Sequence, residues 1–156
     1  MTSVLFVCLG NICRSPTAEG VVRHRIEARQ LDDRVEVDSA GTVSHHRGEP
    51  ADARMREHAS RRGYTLTSRA RRVEASDFAR FDMVVAMDAA NHADLLELSG
   101  GDPDGKIVRF CDFVPGRAGE DVPDPYYGGP EGFEEVLDLI EAGADPLLDR
   151  ALEPPD

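Results

Sequence analysis

Tryptophan is missing from this 156-residue chain, and Lys106 is the only lysine among its 18 basic residues. Cysteine is scarce: three thiols, an odd number, make no disulfide framework and point to a reducing compartment. No apolar run approaches the ~20 residues that a membrane-spanning helix needs. The first residues lack the pattern of a secretory leader. A cytoplasmic location is expected, with secretion by a leaderless route left open. The formal charge of -12 excludes a general nucleic-acid surface, since such binding rests on neutralising phosphates. What positive charge exists is gathered in one half. Residues 1–80 hold 14 Arg against 11 Asp and Glu, whereas residues 81–156 hold 4 basic against 19 acidic residues. Either the basic half receives an anion, or the asymmetry is solvated surface.

The length suits one domain, residues 1–156, with a core that needs no staples. Val4 to Val7 is an uncharged run of β-formers and predicts a buried strand. Ser15 is a favourable N-cap and Pro16 a favourable first helical residue. Ala18, Val21, Val22 and Ile26 then recur at helical spacing up to about Gln30. Arg34 to Val37 predicts a second strand, running into Asp38–Thr42 as a turn. Pro50 and Asp52 open a helix that stops at Gly63. The run Met83-Val84-Val85-Ala86 predicts a third strand, Ala89–Leu98 a helix ended by Gly100-Gly101, and Lys106–Phe110 a fourth strand. A long Pro- and Gly-rich connection leads to a last helix from about Glu131, which Pro146 is expected to kink or break. Arg61-Arg62 and Arg69 to Arg72 read as solvated charge near a helix end. The alternation of strands and helices predicts an α/β fold, a parallel sheet with helices on both faces. Ligands in such sheets bind beyond the carboxyl ends of the strands, where Cys8, Asp38–Gly41, Asp88 and Cys111 all fall.

The stretch between the first strand and first helix carries the chemistry. It reads Cys8-Leu9-Gly10-Asn11-Ile12-Cys13-Arg14-Ser15-Pro16. A strand turning into a helix N-terminus aims several backbone N–H groups at one centre, and the helix dipole adds positive potential there. Gly10 lets the backbone through conformations closed to other residues. Arg14 supplies a planar fork for two phosphate oxygens. In that field the thiolate of Cys8 is favoured over the thiol. A nucleophile at the floor of a phosphate-sized cradle suggests attack on phosphorus.

Cys8, five intervening residues, Arg14 and Ser15 match the Cys-x5-Arg-Ser/Thr signature of cysteine-dependent phosphatases. The longer string from Val7 to Pro16 resembles the low-molecular-weight protein tyrosine phosphatase family. That resemblance implies one three-layer α/β domain with a four-stranded parallel sheet in the order 2-1-3-4. It implies a phosphate-binding loop of Leu9, Gly10, Asn11, Ile12, Cys13, Arg14 and Ser15, braced by Asn11, Ser15 and Ser39. It also implies a general acid, Asp124, within Val122-Pro123-Asp124-Pro125-Tyr126-Tyr127, a stiff loop whose tyrosines can wall a slot for a flat ring. Ile12, His45, Tyr126 and Tyr127 are the expected cleft walls. Asp88 is expected either as a second buried acid or as a helix cap.

The implied reaction is hydrolysis of phosphotyrosine and small aryl phosphates through a cysteinyl-phosphate, with Cys8 as nucleophile, Arg14 as clamp and Asp124 as acid and then base. No cofactor or metal is expected. The pair His45-His46 has no third ligand at a sensible spacing. The expected partners are phosphotyrosine proteins and inorganic phosphate or other oxyanion inhibitors, with no nucleic acid and no membrane. Two departures from the family pattern stand out: His45 where an aromatic rim residue is usual, and Ser68 where many relatives carry a histidine that supports the loop. Ser68 predicts a less restrained loop. Cys13 is expected either to form a reversible disulfide with Cys8 or simply to fill space. The rival readings are arsenate reductase, protein-arginine phosphatase and a non-catalytic phosphate-binding regulator. The first needs further relay cysteines, absent from Ala86–Leu98; Ile12 and the tyrosine pair disfavour the second. A regulator would need neither nucleophile nor acid.

Overall fold

The computed structural model describes residues 1–153. In chain order the elements are β1 (Thr2–Cys8), α1 (Arg14–Ala28), β2 (Val35–Gly41), α2 (Ala53–Arg61), α3 (Asp77–Arg80), β3 (Met83–Ala86), α4 (Ala89–Leu98), β4 (Ile107–Arg109) and α5 (Pro130–Ala151), with a 3-10 turn at Phe110–Phe113 after β4. The four strands form one parallel sheet in the order β2-β1-β3-β4, as the family resemblance implied. Both faces are covered, so β1 is continuously apolar from Val4 to Cys8 instead of alternating. Val4, Phe6 and Cys8 face the larger core with α1, α2 and α5, while Leu5 and Val7 face a smaller one with Phe81, Val84 and Leu95.

Three boundaries differ from expectation. β2 runs to Gly41, so Asp38–Gly41 is strand and not turn: it pairs with β1 in unbroken register, from Thr2 opposite Val35 to Cys8 opposite Gly41. That seven-residue ladder outweighs the turn character of Asp38 and Ser39. α1 begins at Arg14, two residues before Pro16, because Ser15 turns its hydroxyl toward the loop rather than capping the helix. α5 passes through Pro146 without ending and continues to Ala151. The lost backbone hydrogen bond costs ~3 kcal/mol. Leu147 and Leu148, both wholly buried just beyond it, return about 1.5 to 3 kcal/mol each.

Part of the uneven charge is paired within the fold. Arg29, just after α1, meets Asp145 and Asp149 of α5 at 3.2 and 2.9 Å. Arg62 reaches Glu134, Asp138 and Glu141 of the same helix. Arg71 bridges Asp38 and Asp77. Much of the basic first half is therefore matched to acids within the fold, many of them on the last helix.

α5 also passes close to the 3-10 turn at Gly143, where an added Cβ would lie 2.6 Å from the Phe110 ring and 3.0 Å from Val114. Phe110 is fully buried and cannot give way. Two neighbouring alanines should thus act in opposite directions. Pro146→Ala, at an exposed position, restores a helix hydrogen bond and should stabilise by about 1 to 3 kcal/mol. Gly143→Ala should destabilise by about 1 to 3 kcal/mol through overpacking. Urea unfolding of both variants beside the parent measures the pair.

Candidate active site

The loop from β1 to α1 closes around Cys8. Its left-handed residue is Asn11, at φ 58, and not Gly10 as expected. Asparagine tolerates that region, and here its amide makes three hydrogen bonds. Nδ2 donates to Ser15 Oγ at 2.8 Å and to Ser39 Oγ at 3.0 Å, and Oδ1 accepts from the Arg71 backbone N–H at 3.0 Å. Space at position 10 is tight: a Cβ there would stand 3.2 Å from the His46 ring.

Cys8 Sγ lies 3.0 Å from Ser15 Oγ. Asn11 already occupies a lone pair of that hydroxyl, which frees its proton for the sulfur. The competing acceptor, Ala40 O, is farther at 3.4 Å. The row continues behind the loop. Ser39 Oγ donates to Glu19 Oε1 at 2.7 Å, and the other Glu19 oxygen pairs with Arg23. A buried carboxylate is thus linked through Ser39, Asn11 and Ser15 to the sulfur.

No side chain caps α1, and its first turn carries no acid. By contrast, Asp52 caps α2 through the Arg54 and Met55 N–H groups, and Asp88 caps α4 through Asn91 N–H. An uncapped N-terminus beside a cysteine leaves backbone donors and dipole free for an external anion. Arg14, nearly inaccessible, donates from Nη1 to Asp88 Oδ2 at 2.6 Å and to Val122 O at 3.0 Å. Burial opposes its charge, but Cys8, Asp88 and Asp124 outweigh that and raise its pKa. Asp88 is the expected helix cap; it is partly exposed rather than buried, and it also pairs with Arg14.

Arg14 Nη2 stands 3.7 Å from Asp124 Oδ2. The other Asp124 oxygen accepts the Tyr126 backbone N–H at 3.1 Å, which orients the carboxylate. One cavity gathers Cys8, Leu9, Gly10, Ile12, Cys13, Arg14, His45, Asp124, Tyr126 and Tyr127, along with Val43 and His46. Asn11, Ser15 and Ser39 sit behind it. Tyr126 and Tyr127 meet edge to face at 4.9 Å, and Tyr127 is 94% exposed. Arg54 stacks over Tyr126 and donates to its carbonyl oxygen, tying the tyrosine loop to α2. His45 is exposed at the rim, while His46 hydrogen-bonds Glu49. Among the described residues no cluster of three His, Cys, Asp or Glu side chains could hold a metal. Cys13 is buried, and desolvation, together with Asp52, Cys8 and Asp124, pushes its thiol far up. Cys111 is likewise buried, in the 3-10 turn and away from this cavity.

Glu19, Arg71, Val43 and His46 were not foreseen as parts of the site. For Glu19 a signal existed: Ser15, Glu19 and Arg23 follow at intervals of four, one row along α1. The role of the Arg71 backbone N–H leaves no trace in a side-chain pattern.

A thiol in an anion cradle, with a carboxylate across its mouth, defines a cysteine-dependent phosphatase site. The sequence profile of the low molecular weight phosphotyrosine protein phosphatases matches residues 3–154, and the chain belongs to that family. It is 48% identical over 148 residues to a low molecular weight protein-tyrosine-phosphatase of Streptomyces coelicolor, covering 93% of this chain and 90% of that one. Among solved structures, a protein tyrosine phosphatase from Entamoeba histolytica superposes with a TM-score of 0.92 at 43% identity, over 96% of each chain. A Drosophila arginine phosphatase superposes at 0.89 with 31% identity, over 99% of this chain and 100% of that one.

Burial lifts the Glu19 carboxyl above its ordinary range, against the opposing pull of Ser39 and Arg23. The folded chain therefore holds this proton more tightly than the unfolded chain does. As pH rises through the window just above the ordinary carboxylate value, ionisation of Glu19 removes stability. Glu19→Gln cannot titrate, so its Tm relative to the parent should improve as pH rises above the ordinary carboxylate value. A difference independent of pH would contradict this.

Proposed function

We propose that the chain hydrolyses phosphotyrosine in proteins, and small aryl phosphates, through a cysteinyl-phosphate intermediate. The observation that carries the reading is the convergence of Cys8 Sγ, the Arg14 guanidinium and the Asp124 carboxylate on one cavity. The Cys8 thiolate attacks phosphorus in line, while Arg14 and the loop N–H groups hold the three equatorial oxygens. The P–O bond to the phenol breaks, and Asp124 delivers its proton to the departing oxygen. Asp124, now a carboxylate, takes a proton from water as that water displaces the thiolate and frees inorganic phosphate. Arg14 and the amides supply the charge neutralisation that a cation provides in other phosphoryl-transfer sites. Inorganic phosphate and similar oxyanions should occupy the same cradle and inhibit.

The Drosophila relative's fold is nearly the same, so the fold alone does not separate phosphotyrosine from phosphoarginine. Ile12 and the paired rings of Tyr126 and Tyr127 favour the flat phenol. A free-thiol nucleophile requires reducing surroundings, which supports a cytoplasmic site of action.

Two variants test the chemistry. Cys8→Ser should lower turnover more than roughly 1000-fold with every substrate. Asp124→Asn should lower kcat about 100-fold or more with phosphotyrosine, whose leaving group needs the proton, and far less with para-nitrophenyl phosphate. Equal losses on both substrates would remove Asp124 as the acid, and faster release of phosphate from phosphoarginine peptides would displace phosphotyrosine as substrate.

We also retain Cys13 as a protective partner for Cys8. Peroxide would oxidise Cys8 to a sulfenic acid; attack by Cys13 would then expel water and form a disulfide that external thiol reduces. Peroxide-treated parent should recover activity with dithiothreitol, and Cys13→Ser should not. Equal recovery would leave Cys13 a space-filling residue.

A further inference from the structure

On the far side of Val43 a second groove opens, between the end of β2 and helix α4. Val43 forms a wall of both the Cys8 cavity and this groove. The groove's other sides are Arg72 and Val73 across from Asp94, Glu97 and Leu98. Its near edge is pinned to the nucleophile loop: Thr42 N–H donates to Cys8 O at 2.9 Å and Val43 N–H to Leu9 O at 3.2 Å. The Thr42 hydroxyl, lining the groove, is buried without a partner.

Arg71 is taken up by Asp38 and Asp77, whereas exposed Arg72, Asp94 and Glu97 form no ion pair among the described residues. α4 is also the one helix without a basic residue in its last turn; α1, α2, α3 and α5 each have one. The negative end of α4 therefore adds to Asp94 and Glu97 on that wall, and among the described residues Arg72 is the one basic residue lining the groove. Exposed Leu98 and buried Val73 give the same groove apolar contact surface.

We propose that this groove holds the polypeptide flanking a phosphotyrosine seated over Cys8, and that it favours a lysine or arginine against the α4 wall. The proposal rests on the phosphotyrosine reading above. A chain leaving the cavity past Val43 enters the groove directly. A cation on that chain meets Asp94, Glu97 and the helix end, an apolar neighbour meets Leu98 and Val73, and an acidic one meets Arg72. Selectivity of this kind would act on peptides and not on small aryl esters, which end inside the first cavity.

The test compares the parent with Asp94→Lys/Glu97→Lys and with Leu98→Ser, all surface changes. Substrates are para-nitrophenyl phosphate and phosphotyrosine peptides in which one lysine or one glutamate is walked along both flanks. All three proteins should hydrolyse para-nitrophenyl phosphate alike. With the parent, lysine at certain flanking positions should raise kcat/KM roughly fivefold over glutamate, an advantage that fades with added salt. The double lysine variant should reverse that order at the same positions, and Leu98→Ser should weaken apolar-flanked peptides. If the parent is active but neither variant changes peptide preference, the groove proposal falls by itself. If the parent is inert toward para-nitrophenyl phosphate and phosphotyrosine alike, both readings fall together.

Discussion

Asn11 holds a left-handed backbone conformation at the top of the loop and balances its cost with three side-chain hydrogen bonds. Each bond goes to a different element: Ser15 on α1, Ser39 on β2, and the Arg71 backbone on the segment leading to α3. Curvature of the loop, direction of the Ser15 hydroxyl and docking of the Arg69–Arg72 segment are therefore one constraint. Ser39 can accept from Asn11 because its own proton goes to Glu19. The looser loop expected from Ser68 has a counterweight in the Arg71 backbone.

Capping follows the same logic. A helix start left without an acceptor costs stability, about 0.5 to 2 kcal/mol relative to a good N-cap. α2 and α4 avoid that cost with Asp52 and Asp88. Asp52 does so strongly: burial works against its carboxylate, yet hydrogen bonds from Arg54 and two backbone N–H groups hold its pKa below the ordinary value. α1 alone of the three meets the site with Cys13 at its cap position and no side-chain acceptor. The donors that a serine or aspartate would have satisfied remain aimed at the cavity. Ser15 was adjacent and able to cap, but its hydroxyl is committed to the sulfur and to Asn11.

Much of the arrangement was legible before any coordinates. The run Val4–Val7, the Cys8-to-Pro16 string and the Asp-Pro-Tyr-Tyr loop carry local signals, and strands with short-range apolar patterning declare themselves. Features that depended on distant partners did not. Asp38-Ser39-Ala40-Gly41 reads as a turn because its residues favour turns, and only the β1 ladder makes it strand. Pro146 reads as a break because its neighbours' burial against the core is a tertiary fact. The basic and acidic halves were visible as a tally, but Arg29 with Asp145 or Arg62 with Glu141 became pairs only when α5 packed on α1 and α2. The left-handed residue was misassigned to Gly10 because glycine is the usual occupant, whereas Asn11 has the hydrogen bonds that make the conformation tolerable.

The acid and the nucleophile are more than one hundred residues apart, and the joint between them is Arg14. Its Nη1 holds the Val122 carbonyl, two residues before the acid, and Val122 N–H in turn donates to Met87 O at 2.8 Å, at the end of β3. Asp88, next to that methionine, fixes the guanidinium from the other side. The Asp124 loop is therefore registered on the same Arg14 side chain that lines the cavity with Cys8. Any displacement of Arg14 moves the cradle and its lid together. This explains how a long, Pro-rich connection holds Asp124 at the cavity without secondary structure of its own. Its position is determined at Val122 and at the Tyr126 contact with Arg54, and the prolines on either side of Asp124 limit what the backbone between those two anchors can do.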